Sequence, residues 1–80
     1  MRAAISGPAP RFTAAQVLRA LRRDGWQEHR QSGSHLVLLH PVKRGQVIVP
    51  VHAGKIVKAG TLHSILKTAE LNAEQLRELA

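Results

Sequence analysis

Apolar and polar residues alternate along this chain in two different rhythms, and the switch between them outlines the fold. Val17, Leu18 and Leu21 recur at helical spacing, while Arg19, Arg22 and Arg23 take the other face. Thr13 is placed to cap this helix, with Gln16 reaching back in a capping box, and Phe12 and Val17 occupy the two positions of a hydrophobic staple. Asp24-Gly25 ends it, since glycine suits the left-handed turn after a helix.

From Trp26 the rhythm changes to that of strands. Trp26 to Gln31 reads as a first strand, with Trp26, Glu28 and Arg30 on one face. Ser32-Gly33-Ser34 is too polar and flexible for a strand interior and makes a hairpin connection. His35 to His40 is the second strand, apolar on both sides from Leu36 to Leu39 and stopped by Pro41. Lys43-Arg44-Gly45 forms a basic tip, and Gln46 to His52 is the third strand, with Val47, Val49 and Val51 on one face. Pro50 has no N–H to donate and marks that strand as an edge.

After a loop from Ala53 to Gly60 the helical rhythm returns. Thr61 is the expected cap of a second helix with Leu62, Ile65, Leu66 and Ala69 as its apolar stripe. Asn72 and Gln75 repeat the capping-box pattern and open a short terminal helix carrying Leu76 and Leu79. The expected architecture is α+β in the order α-β-β-β-α: a three-stranded antiparallel sheet with two helices on one face, the other face free, and a short C-terminal helix. Residues 12–80 form one domain, and residues 1–11, with a glycine, two prolines and no long apolar core, read as a flexible lead-in and not a secretory signal.

Composition narrows the partners. Twelve Lys and Arg against five Asp and Glu give a net charge of +7 in 80 residues, a field suited to a polyanion. Trp26 and Phe12 are the only aromatic residues, too few for a base-stacking platform, so backbone, shape and hydroxyl contacts are the expected mode. No apolar run approaches the roughly 18 residues of a membrane span. No cysteine is present, which excludes disulfides and thiolate metal sites and fits a cytoplasmic protein.

Five histidines raise the question of a metal. There is no Cys pair and no His-Glu-x-x-His, and His35 and His40, five apart, point to opposite faces, so no metal and no cofactor is expected. A Walker-type phosphate loop is absent, and Asp24, the one Asp available to a Ser–His–Asp triad, closes a helix. A histidine acting on RNA needs less. RNA carries its own nucleophile in the 2′-hydroxyl, and a group that moves its proton beside cations that stabilise the phosphorane is sufficient. His35, at the rim of an apolar strand after a Gly-Ser turn, is the candidate acid/base residue. Gly33 lets backbone approach a phosphate and Ser34 can donate to one. Arg30, Lys43, Arg44, Lys55, Lys58 and Lys67 are the candidate cations, and His52 is kept as a possible second participant. His29, His40 and His63 read as structural or surface residues. Taken alone, Gly33-Ser34 is equally a plain turn and His35 a strand-end histidine bonded to backbone.

Gly25-Trp26, Arg30-Gln31-x-Gly33-Ser34-His35, His40-Pro41, Val49-Pro50-Val51-His52-x-Gly54-Lys55 and Gly60-Thr61-Leu62-x-Ser64-Ile65-Leu66-Lys67 occur in an order and spacing that resemble the HicA toxins of type II toxin–antitoxin systems. The resemblance covers roughly residues 12 to 72. It implies a double-stranded-RNA-binding-domain-like fold and a ribosome-independent mRNA interferase whose catalytic histidine is that of the Gly-Ser-His motif, His35. It further implies a HicB antitoxin, encoded next door, that masks that histidine and often carries the DNA-binding domain through which the pair represses its operon. Residues 1–11 have no counterpart in the family core, residues 72–80 are variable among such proteins, and the second helix lacks the dense Lys cluster of true double-stranded-RNA-binding domains. Two other readings remain: a non-catalytic RNA-binding module of the same fold, and an interaction module whose positive face docks an acidic partner.

Overall fold

Thr13 and Gln16 bond reciprocally at the start of the first helix. The Gln16 N–H donates to Thr13 Oγ1 at 3.2 Å and the Thr13 N–H to Gln16 Oε1 at 2.8 Å. They open α1, Ala14–Arg23, in a computed structural model that describes residues 11–80. Residues 1–10 of the expected lead-in lie outside the described residues. The elements that follow are β1 (Gln27–Ser32), β2 (His35–Leu39), β3 (Gln46–Pro50), α2 (Ala59–Ala69) and α3 (Ala73–Leu79), with the antiparallel sheet in the order β1-β2-β3. This is the α+β, double-stranded-RNA-binding-domain-like arrangement expected from the sequence. Among the described residues no helix is long and apolar enough to cross a membrane.

The end of α1 sets the start of the sheet. Trp26 N–H bonds the Leu21 carbonyl at 2.9 Å and Gly25 N–H that of Arg22 at 3.0 Å, the two bonds of a Schellman turn. Gly25 has φ +107°, and a Cβ on it would lie 2.7 Å from His40 Nε2. His40 in turn ties three segments together: Nε2 bonds the Asp24 carbonyl at 2.8 Å, and Nδ1 accepts from the Val42 and Lys43 N–H groups at 3.0 Å each. Accepting at Nδ1 places the ring proton on Nε2. The ring also meets Trp26 edge-on, with centroids 5.2 Å apart. Gly25→Ala therefore meets both a disfavoured backbone region and a buttressed imidazole. It is expected to destabilise the fold by about 1–3 kcal/mol, read as a lowered midpoint of thermal unfolding; an unchanged midpoint would contradict the tight seat of His40.

Several boundaries differ from the sequence expectation, and β2 stops at Leu39, one residue before His40. β1 skips a residue: Glu28 pairs Leu38 but Arg30 pairs Val37, so His29 is a bulge. Trp26 lies outside the strand, and Glu28 and Arg30 stand on opposite faces, not one. β3 ends at Pro50, two residues before His52, although the Val51 N–H still bonds the Ser34 carbonyl at 2.6 Å. α2 starts two residues before Thr61, with Lys58 at the N-cap and no side-chain cap, because segment 52–58 is pinned across the molecule. Ile56 bridges Thr13, and the Val57 N–H bonds the Phe12 carbonyl at 2.8 Å while its side chain enters the core.

The core lies between the sheet and the helices. Val17, Leu18 and Leu21 of α1, Leu36 and Leu38 of β2, Val47 and Val49 of β3, and Leu62 and Ile65 of α2 are all buried in it. α3 is not a loose tail: Leu76 is fully buried, and Arg23 Nη1 donates to the Leu79 carbonyl at 2.8 Å. The opposite sheet face carries His35, Val37 and Leu39 in alternation on β2 and Ile48 beside them on β3, with Leu39 and Ile48 exposed.

Candidate active site

β2 must begin where the chain emerges from a tight turn, and that puts His35 at the end of the sheet. Ser32 pairs His35 across a two-residue loop of Gly33 and Ser34. Gly33 has φ +58°, the positive φ that the first central residue of a type II′ hairpin turn requires. On its other side His35 pairs Pro50. A cleft of about 290 Å³ opens at this end of the sheet, lined by His35, Pro50, His52, Lys55, Ile56, Val57, Lys58 and Thr61. The pinning of Ile56 and Val57 to the start of α1 carries the Lys55–Lys58 segment across it.

Of the residues expected from the sequence, the structure brings His35, His52, Lys55 and Lys58 to one cleft. Gly33 and Ser34 form the turn that delivers His35 and do not line it. Arg30 sits on β1 opposite Val37, and Arg44 and Lys67 are exposed elsewhere. Lys43 is committed internally: its ammonium donates to Asp24 Oδ2 at 2.7 Å and to the Ala69 carbonyl at 2.8 Å, mostly shielded from solvent. That lysine joins the ends of α1 and α2, so it is scaffold where a phosphate contact was expected. Two arginines of α1 are similarly engaged, Arg22 with Glu28 and Arg23 with the chain's last carbonyls.

The histidines separate by their bonding. His40 is fully engaged by backbone. His35 and His52 are exposed, and among the described residues no side-chain hydrogen bond involves either. His35 is thus not the backbone-bonded strand-end histidine that the sequence alone left open. Among the described residues, no group of three or more His, Asp or Glu side chains is placed to hold a metal ion.

Positive potential in the cleft has two sources. Lys55 and Lys58 line it, and the first N–H groups of α2, with no side-chain cap, add the positive end of a helix dipole beside Thr61. Thr61, expected as a cap, instead joins this cleft to a second groove of about 240 Å³ lined by Gln46, Val47, Ile48, Thr61, Ser64, Ile65 and Thr68. Ser64, Thr68 and Gln46 were not singled out in the sequence. Their signal was there, a hydroxyl stripe at helical spacing through Thr61, Ser64 and Thr68, adjacent to the buried Leu62–Ile65–Ala69 stripe.

A family model described as the HicA toxin of bacterial toxin–antitoxin matches residues 14–71, more than half of the chain. No curated protein matches.

Proposed function

The chain belongs to the HicA toxin family of bacterial toxin–antitoxin systems, and from that premise we propose that it is a metal-independent endoribonuclease, an mRNA interferase with His35 as general acid/base. The observation that supports this best is the convergence of an unbonded, exposed histidine with Lys55, Lys58 and an uncapped helix N-terminus around one cleft. The 2′-hydroxyl of RNA supplies the nucleophile, the imidazole moves its proton, and the lysines stabilise the charge that develops on phosphorus. The hydroxyl-lined groove along α2 suits sugar and phosphate contacts to a strand leaving the cleft. With so few aromatic rings, recognition runs through backbone and hydroxyls.

A toxin–antitoxin family implies an antitoxin partner. The HicB-like antitoxin of this reading masks His35 from the free sheet face, where the exposed Leu39 and Ile48 form an apolar surface of the kind that binds protein. In the cytoplasm the antitoxin holds the toxin inactive, and the toxin cuts mRNA once the antitoxin is lost.

The test is cleavage of a defined mRNA by the purified protein, with and without EDTA. Discrete products that persist in EDTA are expected, with binding that weakens steeply as salt rises. Loss of cleavage in EDTA would overturn the metal-free mechanism. Salt-sensitive binding with no products would leave the non-catalytic RNA-binding module, the one alternative that the same charged cleft supports.

A further inference from the structure

Strand cleavage through a 2′-hydroxyl needs two proton transfers, and one histidine cannot stand on both sides of the phosphate at once. Resting on the ribonuclease reading above, we propose that His52 is a second catalytic histidine, the general acid that protonates the leaving 5′-oxygen while His35 accepts the 2′-hydroxyl proton. The 2′-O–P bond forms and the P–O5′ bond breaks. His35 gains one proton, His52 gives one up, and solvent exchange restores both. The products are a 2′,3′-cyclic phosphate and a 5′-hydroxyl.

Two observations place His52 in this role. The first is the sheet register. His35 pairs Pro50, and pairing continues through the Val51 N–H to the Ser34 carbonyl. His52 follows that bond by one residue, beyond the end of β3, and lines the same cleft as His35. With both histidines on one cleft, a phosphate bound there can be flanked by the two imidazoles. The turn closed by the Lys55 N–H on the His52 carbonyl, at 3.1 Å, holds the position.

The second is the composition of the cleft. Pro50, Ile56 and Val57 carry no side-chain proton to give, and the hydroxyl of Thr61 is too weak an acid. An ammonium is a weaker proton donor near neutral pH than an imidazolium, which leaves Lys55 and Lys58 better suited to charge stabilisation. Among the described residues lining the cleft, His52 is the second imidazole beside His35, and imidazole is the side-chain type suited to giving and taking protons in general acid–base catalysis.

The experiment first maps a site that the native protein cuts. It then compares native, His35→Ala, His52→Ala and His52→Gln on a short RNA spanning that site, in two forms. One has the ordinary bridging 5′-oxygen at the cut phosphate and the other has sulfur there. A thiolate leaves without protonation, so the sulfur substrate dispenses with the general acid. Both His52 variants are expected to cut the oxygen substrate about 10²- to 10⁴-fold more slowly. They should lose the alkaline limb of the native pH–rate profile, because that limb marks deprotonation of the acid. On the sulfur substrate their rates should return near native, while His35→Ala stays slow on both. A His52 variant that is slow on both substrates, or rescue of His35→Ala instead, would overturn the assignment, as would a His52 variant with native rates and pH profile. If the native protein cuts no RNA, the ribonuclease reading fails first and this inference with it.

Discussion

His35→Ala is expected to lower mRNA cleavage by about 10²- to 10⁴-fold and to abolish growth arrest on expression, with fold and RNA affinity retained. Its side chain is exposed at the start of β2 and absent from the core. Removing an exposed side chain of this kind changes stability by only about ±0.5 kcal/mol, so the unfolding midpoint should stay near native. Affinity should hold as well, since phosphate neutralisation is the work of Lys55 and Lys58 and not of the imidazole. The three readouts separate three explanations. Loss of cleavage with native unfolding and native salt-dependent binding assigns chemistry to His35. Loss of binding alongside cleavage would make it a contact residue. A folded His35→Ala protein that still cuts mRNA and arrests growth would sink the mechanism.

The elements whose signals are local were legible in the sequence. Thr13-x-x-Gln16 and Asn72-x-x-Gln75 each satisfy the orphan N–H groups of a helix start within four residues, and both capping boxes form as the spacing predicts. Gly25 is likewise readable, because a left-handed residue after a helix tolerates little else. What was not legible depends on partners distant in the chain. Thr61 looked like a better cap than Lys58, yet α2 starts at Ala59 because residues 56 and 57 are fastened to 12 and 13. The bulge at His29 inverts the faces of β1 beyond it, and nothing in the alternation of Trp26 to Gln31 announces an extra residue.

The site shows the same division. His35 was readable because a Gly-containing turn and an apolar strand bracket it within a few residues. His52, Lys55 and Lys58 follow the third strand closely enough to be guessed, and the cleft gathers them. Lys43 could not be distinguished from the other lysines by composition. Only the fold shows that Asp24 and the Ala69 carbonyl hold it. Charge counts therefore overstate the cations available to RNA, and the cleft, not the total of +7, is where binding is expected to concentrate.

Leu76→Ala is expected to cost about 2–5 kcal/mol of stability, although Leu76 lies beyond the family match, which ends at residue 71. α3 packs against α1 with Leu76 fully buried, and Leu79 and Ala80 lie partly buried against the same core. Truncating Leu76 removes three heavy atoms at a point where α1 and α3 meet, and neighbours fixed by the sheet relax only partly into the void. The contact is reinforced from α1 by Arg23, which donates to the carbonyls of Leu79 and Ala80, and from α3 by Arg77, whose guanidinium lies 5.8 Å from the Phe12 ring centroid. Small domains have total stabilities of about 5–15 kcal/mol, and an 80-residue chain buries too little surface to sit high in that range. Denaturant unfolding should show a midpoint that falls sharply, with Glu78→Ala, an exposed change on the same helix, near native. The start of α1 also anchors the segment that carries Lys55 and Lys58. Loosening α3 should thus lower cleavage near the unfolding temperature and leave it intact well below. A Leu76→Ala protein with native stability would make α3 an appendage, free for the antitoxin rather than part of the fold.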